Sequence, residues 1–223
     1  MPAKAKAKAK PKNDDALKAA ILEAALAHVA FDGFTDTVLK NAAKEAGANA
    51  GDIARLFPDG PLSLVEAFSA DADARLEAVL AKKKLGGMKI RERIREAVLA
   101  RLEILRPQKE AARRAAAFLT LPPHAALGAK LLYRTVDIMW RAAGDTSTDF
   151  NFYSKRAILA GVYSATLMRW FTDQSGDETS TRDFLANRIE DVMRFEKLKA
   201  QVKERAKHLP SLGDVLGAFA RGR

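Results

Sequence analysis

No cysteine occurs among the 223 residues, so disulfides, thiolate metal sites and thiol nucleophiles are excluded. A reducing compartment is the corresponding expectation. Histidine is almost as scarce: His28, His124 and His208 lie far apart, and none falls in a Glu-x-x-His or His-Glu-x-x-His pattern. Nucleophile elbows, Walker loops and Gly-x-Gly-x-x-Gly turns are missing too. The inventory argues against an enzyme, a metal or a cofactor. No apolar run approaches the ~20 residues of a spanning helix. The nearest, residues 157–171, contains Arg169. No cleavable signal pattern is visible, so a soluble or peripheral protein is expected.

Acidic residues are missing from one end and thin at the other, which explains the net charge of +10. Residues 1–12 carry five lysines and no acid, and residues 194–223 carry eight Lys/Arg against three Asp/Glu. The interval 13–193 is therefore neutral, and the basic excess sits on the ends. The Ala-Lys alternation of residues 1–12 has nothing to bury and reads as a disordered solubility tail.

From Asn13 onward the spacing is helical. Leu17, Ile21, Ala24, Ala25, His28 and Val29 share one apolar face, which places His28 in the core, and Gly33 ends that helix. A second helix follows Thr35 and stops at Gly47. A third is capped by Asn49 and ends near Phe57. Pro61 opens a fourth, which reaches Lys84 through Leu64, Val65, Phe68, Leu76, Val79 and Leu80. A fifth carries Ile90, Ile94, Val98, Leu102 and Leu105. An Ala-rich sixth ends at Pro122-Pro123, where His124 reads as a turn residue or cap. The seventh spans about Ala125 to Ala143. Asp149 is the expected N-cap of the eighth, and a ninth follows Ser180, with Asp183 completing its cap. Residues 157–168 hold no charge, so the eighth helix is expected to be central and enclosed. No β-alternation is present, and the class is all-α.

The string GFTDTVLKNAAKEAGANAGDIARLFPDGP, beginning at Gly33, resembles the helix-turn-helix of TetR-type regulators. Gly33-Phe34, Ala42-Ala43, Ala46-Gly47, Gly51, Ile53 and Phe57 fall where that family places structural residues. It departs where DNA is gripped: the family usually has tyrosine at the Ala54 position and lysine at the Gly60 position. Charge agrees, since residues 13–70 hold four bases and nine acids, and DNA affinity rests on phosphate neutralisation. A DNA-binding regulator with an apolar effector is the alternative reading, and no nucleic-acid partner is expected.

The string WRAAGDTSTDFNFYSKRAILAGVY, residues 140–163, resembles the coenzyme Q biosynthesis accessory family, the ninth of that series. FPDGPLSLVEAF at Phe57, Leu121-Pro122 with His124, and FLANRIEDVM at Phe184 support the match, which covers roughly residues 16–193. The resemblance implies a TetR-like fold that binds isoprenoid lipids, including quinone intermediates. It also implies a non-catalytic supporting role for the di-iron demethoxyubiquinone hydroxylase, and a homodimer. Carried over by position, the partner-facing patch falls on Asp149, Phe152, Tyr153 and Arg156. Animal members have tryptophan where Phe152 stands, which reduces aromatic contact area.

Leu131, Leu132, Ile138, Met139, Ile158, Leu159, Val162, Leu167 and Met168 could line a lipid tunnel or pack against one another. Periodicity leaves both open. Beyond the helix-turn-helix-like unit (13–60) and the helical body (61–193) lies a basic segment, 194–223. There Leu212, Val215, Leu216 and Phe219 follow i, i+3, i+4, i+7, the pattern of an interfacial membrane helix. The related family carries such a helix at this end; folding back on the body or onto a dimer partner is the alternative. The expected location is the cytoplasmic face of a bacterial inner membrane, or the matrix side in a eukaryote.

Overall fold

The computed structural model describes residues 13–147 and 150–207, and the described residues are helical with no strand. The elements are α1 (Asp14–Asp32), α2 (Asp36–Glu45), α3 (Ala50–Leu56), α4 (Pro61–Lys82), α5 (Ile90–Leu105), α6 (Lys109–Leu119), α7 (Ala125–Ala142), α8 (Phe150–Thr172) and α9 (Thr179–Lys207). Short 3-10 turns at Arg106–Gln108 and Pro122–His124 lead into α6 and α7.

The helix starts follow from capping side chains. Asn13 Oδ1 accepts from the Ala16 amide at 2.9 Å, and Thr35 Oγ1 accepts from Val38 at 3.2 Å. Asn49 and Asp52 form a reciprocal capping box at 2.9 and 3.0 Å. Gly60 precedes Pro61 with φ +56°, ψ −123°, a conformation that L side chains resist. A Cβ there would lie 3.0 Å from Asp36 Oδ1. A lysine, usual at this position in TetR-type regulators, would therefore be strained in this backbone and crowd Asp36.

One continuous hydrophobic core runs through the molecule, from Leu17 and Ile21 of α1 to Leu185 of α9. α1 packs on α2, α4 and α6; α5 packs on α4, α7 and α9; α8 lies between α7 and α9 and also touches α6.

Four expectations change. His28 is not a core residue: its ring is 40% exposed and its Nε2 sits 3.0 Å from Glu45 Oε1, because it lies one position off the buried stripe of Ile21, Ala25 and Val29. α4 ends at Lys82, and Val79 points outward. α9 begins at Thr179, where Glu178 with φ +56° turns the chain. Asp173 Oδ2 accepts from the Thr181 amide at 2.8 Å, so the cap comes from the end of α8 rather than from Ser180 and Asp183. α8 is also not enclosed all round, since Ala157, Gly161 and Met168 form an outward stripe. Residues 1–12, Asp149 and the segment with Leu212, Val215, Leu216 and Phe219 lie outside the described residues.

Candidate functional site

The apolar residues singled out on α7 and α8 do not share one tunnel. They divide between two clefts, with a third group in solid core.

The first cleft, about 300 Å³, lies between the start of α5 and the facing sides of α8 and α9. Ile158, Leu159 and Val162 form its α8 wall, Ile189, Val192 and Met193 its α9 wall, and Ile90 and Ile94 its α5 wall. Trp140 of α7 also lines it. Among the described residues, its only charged lining comes from Lys89 and Arg91. A second depression bounded by Arg91, Glu92, Arg95 and Glu190 shares Arg91, Ile189 and Met193 with it, so it opens beside a charged surface. Ile90 and Met193 are themselves exposed. The sequence signal for the α5 and α9 walls was present in the helical spacing of Ile90–Ile94 and Ile189–Val192–Met193, but it reads equally as ordinary core.

The second cleft, about 210 Å³, lies among α4, α5, α6, α7 and α8. Leu131, Leu132, Leu167 and Met168 belong here. Ile138 and Met139 line neither cleft and are buried in the core. Both faces of α8 are apolar, so spacing alone could not assign a residue to one side or the other.

The corner between α7 and α8 is built on charge. Arg156 is 2% exposed. Its Nε donates to Asp137 Oδ1 at 2.7 Å, and its Nη1 donates to Asp145 Oδ2 at 3.0 Å and to the Phe152 carbonyl at 3.1 Å. Its guanidinium lies 3.4 Å from the Phe152 ring centroid. Lys155 Nζ donates to Asp145 Oδ1 at 2.8 Å and to Ser147 Oγ at 2.7 Å. Burial alone would raise the Asp145 carboxyl, but hydrogen bonds from Lys155, Ser147 and Arg156 outweigh it and hold the group far below the usual carboxylate range. On this frame Phe152 is half-buried and Tyr153 is 65% exposed, their rings edge to face at 5.1 Å. Of the four residues carried over as a partner patch, Tyr153 and the Phe152 edge reach the surface, and Arg156 supports them from behind.

At the other end of the molecule, Arg55, the one base of α3, is already engaged by Asp14 and by Asp52, 3.0 Å away. The groove between α2 and α3 retains Lys40 and Lys44, beside Asp36.

These helices and clefts define an all-α protein of the TetR-like class. A solved TetR transcriptional regulator from Nitrosomonas europaea has the same architecture, with a TM-score of 0.62 over 79% of this chain and 97% of that one, at 22% identity. At that identity the likeness concerns the fold alone. The COQ9 family model matches residues 125–196, the stretch that carries the α7–α8 corner and the α8 and α9 walls of the first cleft. The ubiquinone biosynthesis protein COQ9 of Rattus norvegicus is 36% identical over 198 residues, covering 86% of this chain and 63% of the relative. The Homo sapiens protein is 35% identical over 198 residues, covering 86% and 62%. The COQ9-B protein of Xenopus laevis is 34% identical over 197 residues, covering 85% and 67%. The chain belongs to the COQ9 family, and it spans a little under two thirds of the rat and human relatives.

Proposed function

We propose that the protein is a non-catalytic accessory of ubiquinone biosynthesis. It takes an isoprenoid quinone intermediate into the cleft between α5, α8 and α9 and presents it to the di-iron demethoxyubiquinone hydroxylase across the α7–α8 corner. The observation that carries this reading is the first cleft itself: an almost wholly apolar space whose α7, α8 and α9 residues fall in the family-matched stretch, with Lys89 and Arg91 at its α5 end. Its volume of about 300 Å³ is at the small end for ligand pockets. It encloses part of a polyprenyl chain, so the remainder needs cover from a membrane, the hydroxylase or a second copy of the chain.

The basic stretch from Arg194 onward supplies the membrane approach in this reading. Phe195 and Leu198 are exposed on α9. Beyond them, the segment with Leu212, Val215, Leu216 and Phe219 lies in the interface, held by apolar burial and by basic neighbours near anionic lipid. Attachment is reversible, on the cytoplasmic face of a bacterial inner membrane or the matrix side of a mitochondrial one; relatives carry mitochondrial names. Tyr153 and Phe152 form the aromatic contact to the hydroxylase, and the working unit is a homodimer.

The rival, a transcriptional regulator, is disfavoured by the engagement of Arg55 with two acids and by the glycine at position 60, where a lysine would be strained. The test is native mass spectrometry of the full chain after gentle extraction. A co-purified polyprenyl lipid, displaced by Ile158→Glu, supports the reading. A consistently empty protein that also ignores liposomes overturns it.

A further inference from the structure

The loop between α4 and α5, with the first turn of α5, concentrates positive charge in a body that is otherwise neutral. Residues 82–95 hold seven Lys/Arg and one Glu. Lys83 pairs with Glu96 at 2.6 Å, and Glu92 is committed to the Lys89 amide at 3.0 Å as a cap. Lys82, Lys84, Arg91 and Arg95 are exposed and have no acid or other acceptor as partner among the described residues.

Apolar side chains stand between these cations. Met88 is 39% exposed and Ile90 46%. Single exposed hydrophobes are ordinary, but these two are held outward by a fixed turn. The Arg93 guanidinium donates to the Gly86 carbonyl at 2.8 Å, to the Met88 carbonyl at 2.9 Å and across to the Ala143 carbonyl at 2.9 Å. Leu85 is buried beneath the turn. The loop is therefore preformed and tied to the end of α7, so presenting its tip to a partner costs little ordering entropy. Lys89, Ile90 and Arg91 also line the first cleft, which makes the loop part of that cleft's rim.

We infer that the α4–α5 loop is a membrane-contact surface, distinct from the C-terminal segment. It sets Met88 and Ile90 into the lipid interface and Lys82, Lys84, Lys89 and Arg91 over anionic headgroups. Apolar tips flanked by lysine and arginine match the two layers of such an interface. A nucleic-acid backbone would match the cations but offers nothing to Met88 and Ile90. The contact is small: it orients a protein that the C-terminal segment attaches. One consequence rests on the lipid reading, namely that the first cleft then opens toward the bilayer.

The chain has no cysteine, so Met88→Cys in the full chain carries a single environment-sensitive dye. The probe is vesicles of phosphatidylcholine mixed with phosphatidylglycerol, free of quinone. On binding, the dye emission shifts to the blue and is quenched by spin-labelled acyl chains. Lys82→Gln with Lys84→Gln removes two unpaired surface charges and no hydrogen bond. It weakens binding to these vesicles by about fivefold per charge and leaves binding to phosphatidylcholine alone unchanged. A dye that stays in water on vesicles the protein binds, or a double variant that binds as the natural chain does, overturns the inference. So does a lysine effect with a water-exposed dye, which would assign the loop to a soluble polyanion such as nucleic acid. Because the vesicles hold no quinone, failed quinone extraction leaves this result standing, and a water-exposed dye leaves the lipid reading standing.

Discussion

Trp140 Nε1 donates a hydrogen bond to the Lys155 carbonyl at 3.1 Å, tying the wall of the first cleft to the helix that carries the exposed corner. Lys155 returns the contact through its ammonium, 5.6 Å from the Trp140 ring centroid. One indole thus belongs both to the space proposed for lipid and to the frame beneath Tyr153. Trp140→Phe keeps a ring in place and deletes the bond. The expected cost is about 0.5–1.5 kcal/mol, read by urea unfolding, together with weaker lipid retention.

Tyr153→Ala removes an exposed ring. Away from buried features such changes stay within about 0.5 kcal/mol, so the melting temperature should hold while pull-down of the hydroxylase falls and lipid content stays constant. Equal pull-down yields would return Tyr153 to the role of an ordinary surface residue.

Arg156 behaves differently because it is buried between Asp137 and Asp145. Arg156→Ala leaves Asp145, itself 3% exposed, with only Lys155 as a cation. Breaking a buried pair costs about 3–5 kcal/mol. Thermal unfolding should show a large loss, and partner binding should fail with it. Arg156→Lys should recover only part of the stability, since it lacks the fork that reaches both acids.

Asp145 also sets a pH response. Hydrogen bonds depress its folded pKa, and those from Ser175 and Thr181 do the same for Asp173. A depressed carboxyl stabilises the fold fully above its unfolded value near 3.9 and loses that contribution as pH falls toward the folded value. Melting temperature should therefore change little through these groups between pH 7 and 5 and drop below about pH 4. Asp145→Asn should flatten that acid slope.

Much of this architecture was legible in the chain because caps and breaks are local. Asn13, Thr35, Asn49 and Pro61 mark their helix starts by side-chain chemistry alone. The start of α9 was misplaced because its cap, Asp173, lies eight residues before Thr181, a distance no local rule covers. Arg156 illustrates a second limit. Sequence gives a charge and a position, but its burial depends on two acids contributed by α7 and the loop after it. The apolar residues of α7 and α8 show a third, since an α8 apolar on both faces can wall two clefts as readily as one tunnel.

The basic C-terminal segment yields the membrane prediction. Deleting residues 208–223 removes Leu212, Val215, Leu216 and Phe219 while sparing α9. Flotation with vesicles rich in anionic lipid should be lost, and helical content per residue of the body should be retained. Unchanged flotation would assign membrane contact elsewhere.

The central claim is that the α5–α8–α9 cleft holds a polyprenyl quinone. Its most direct measurement is extraction of a radiolabelled polyprenyl quinone from vesicles by the intact protein and by Ile158→Glu. The account predicts quinone bound to the natural chain and at least about a tenfold loss when a carboxylate enters the apolar wall. Equal extraction by both proteins would contradict it.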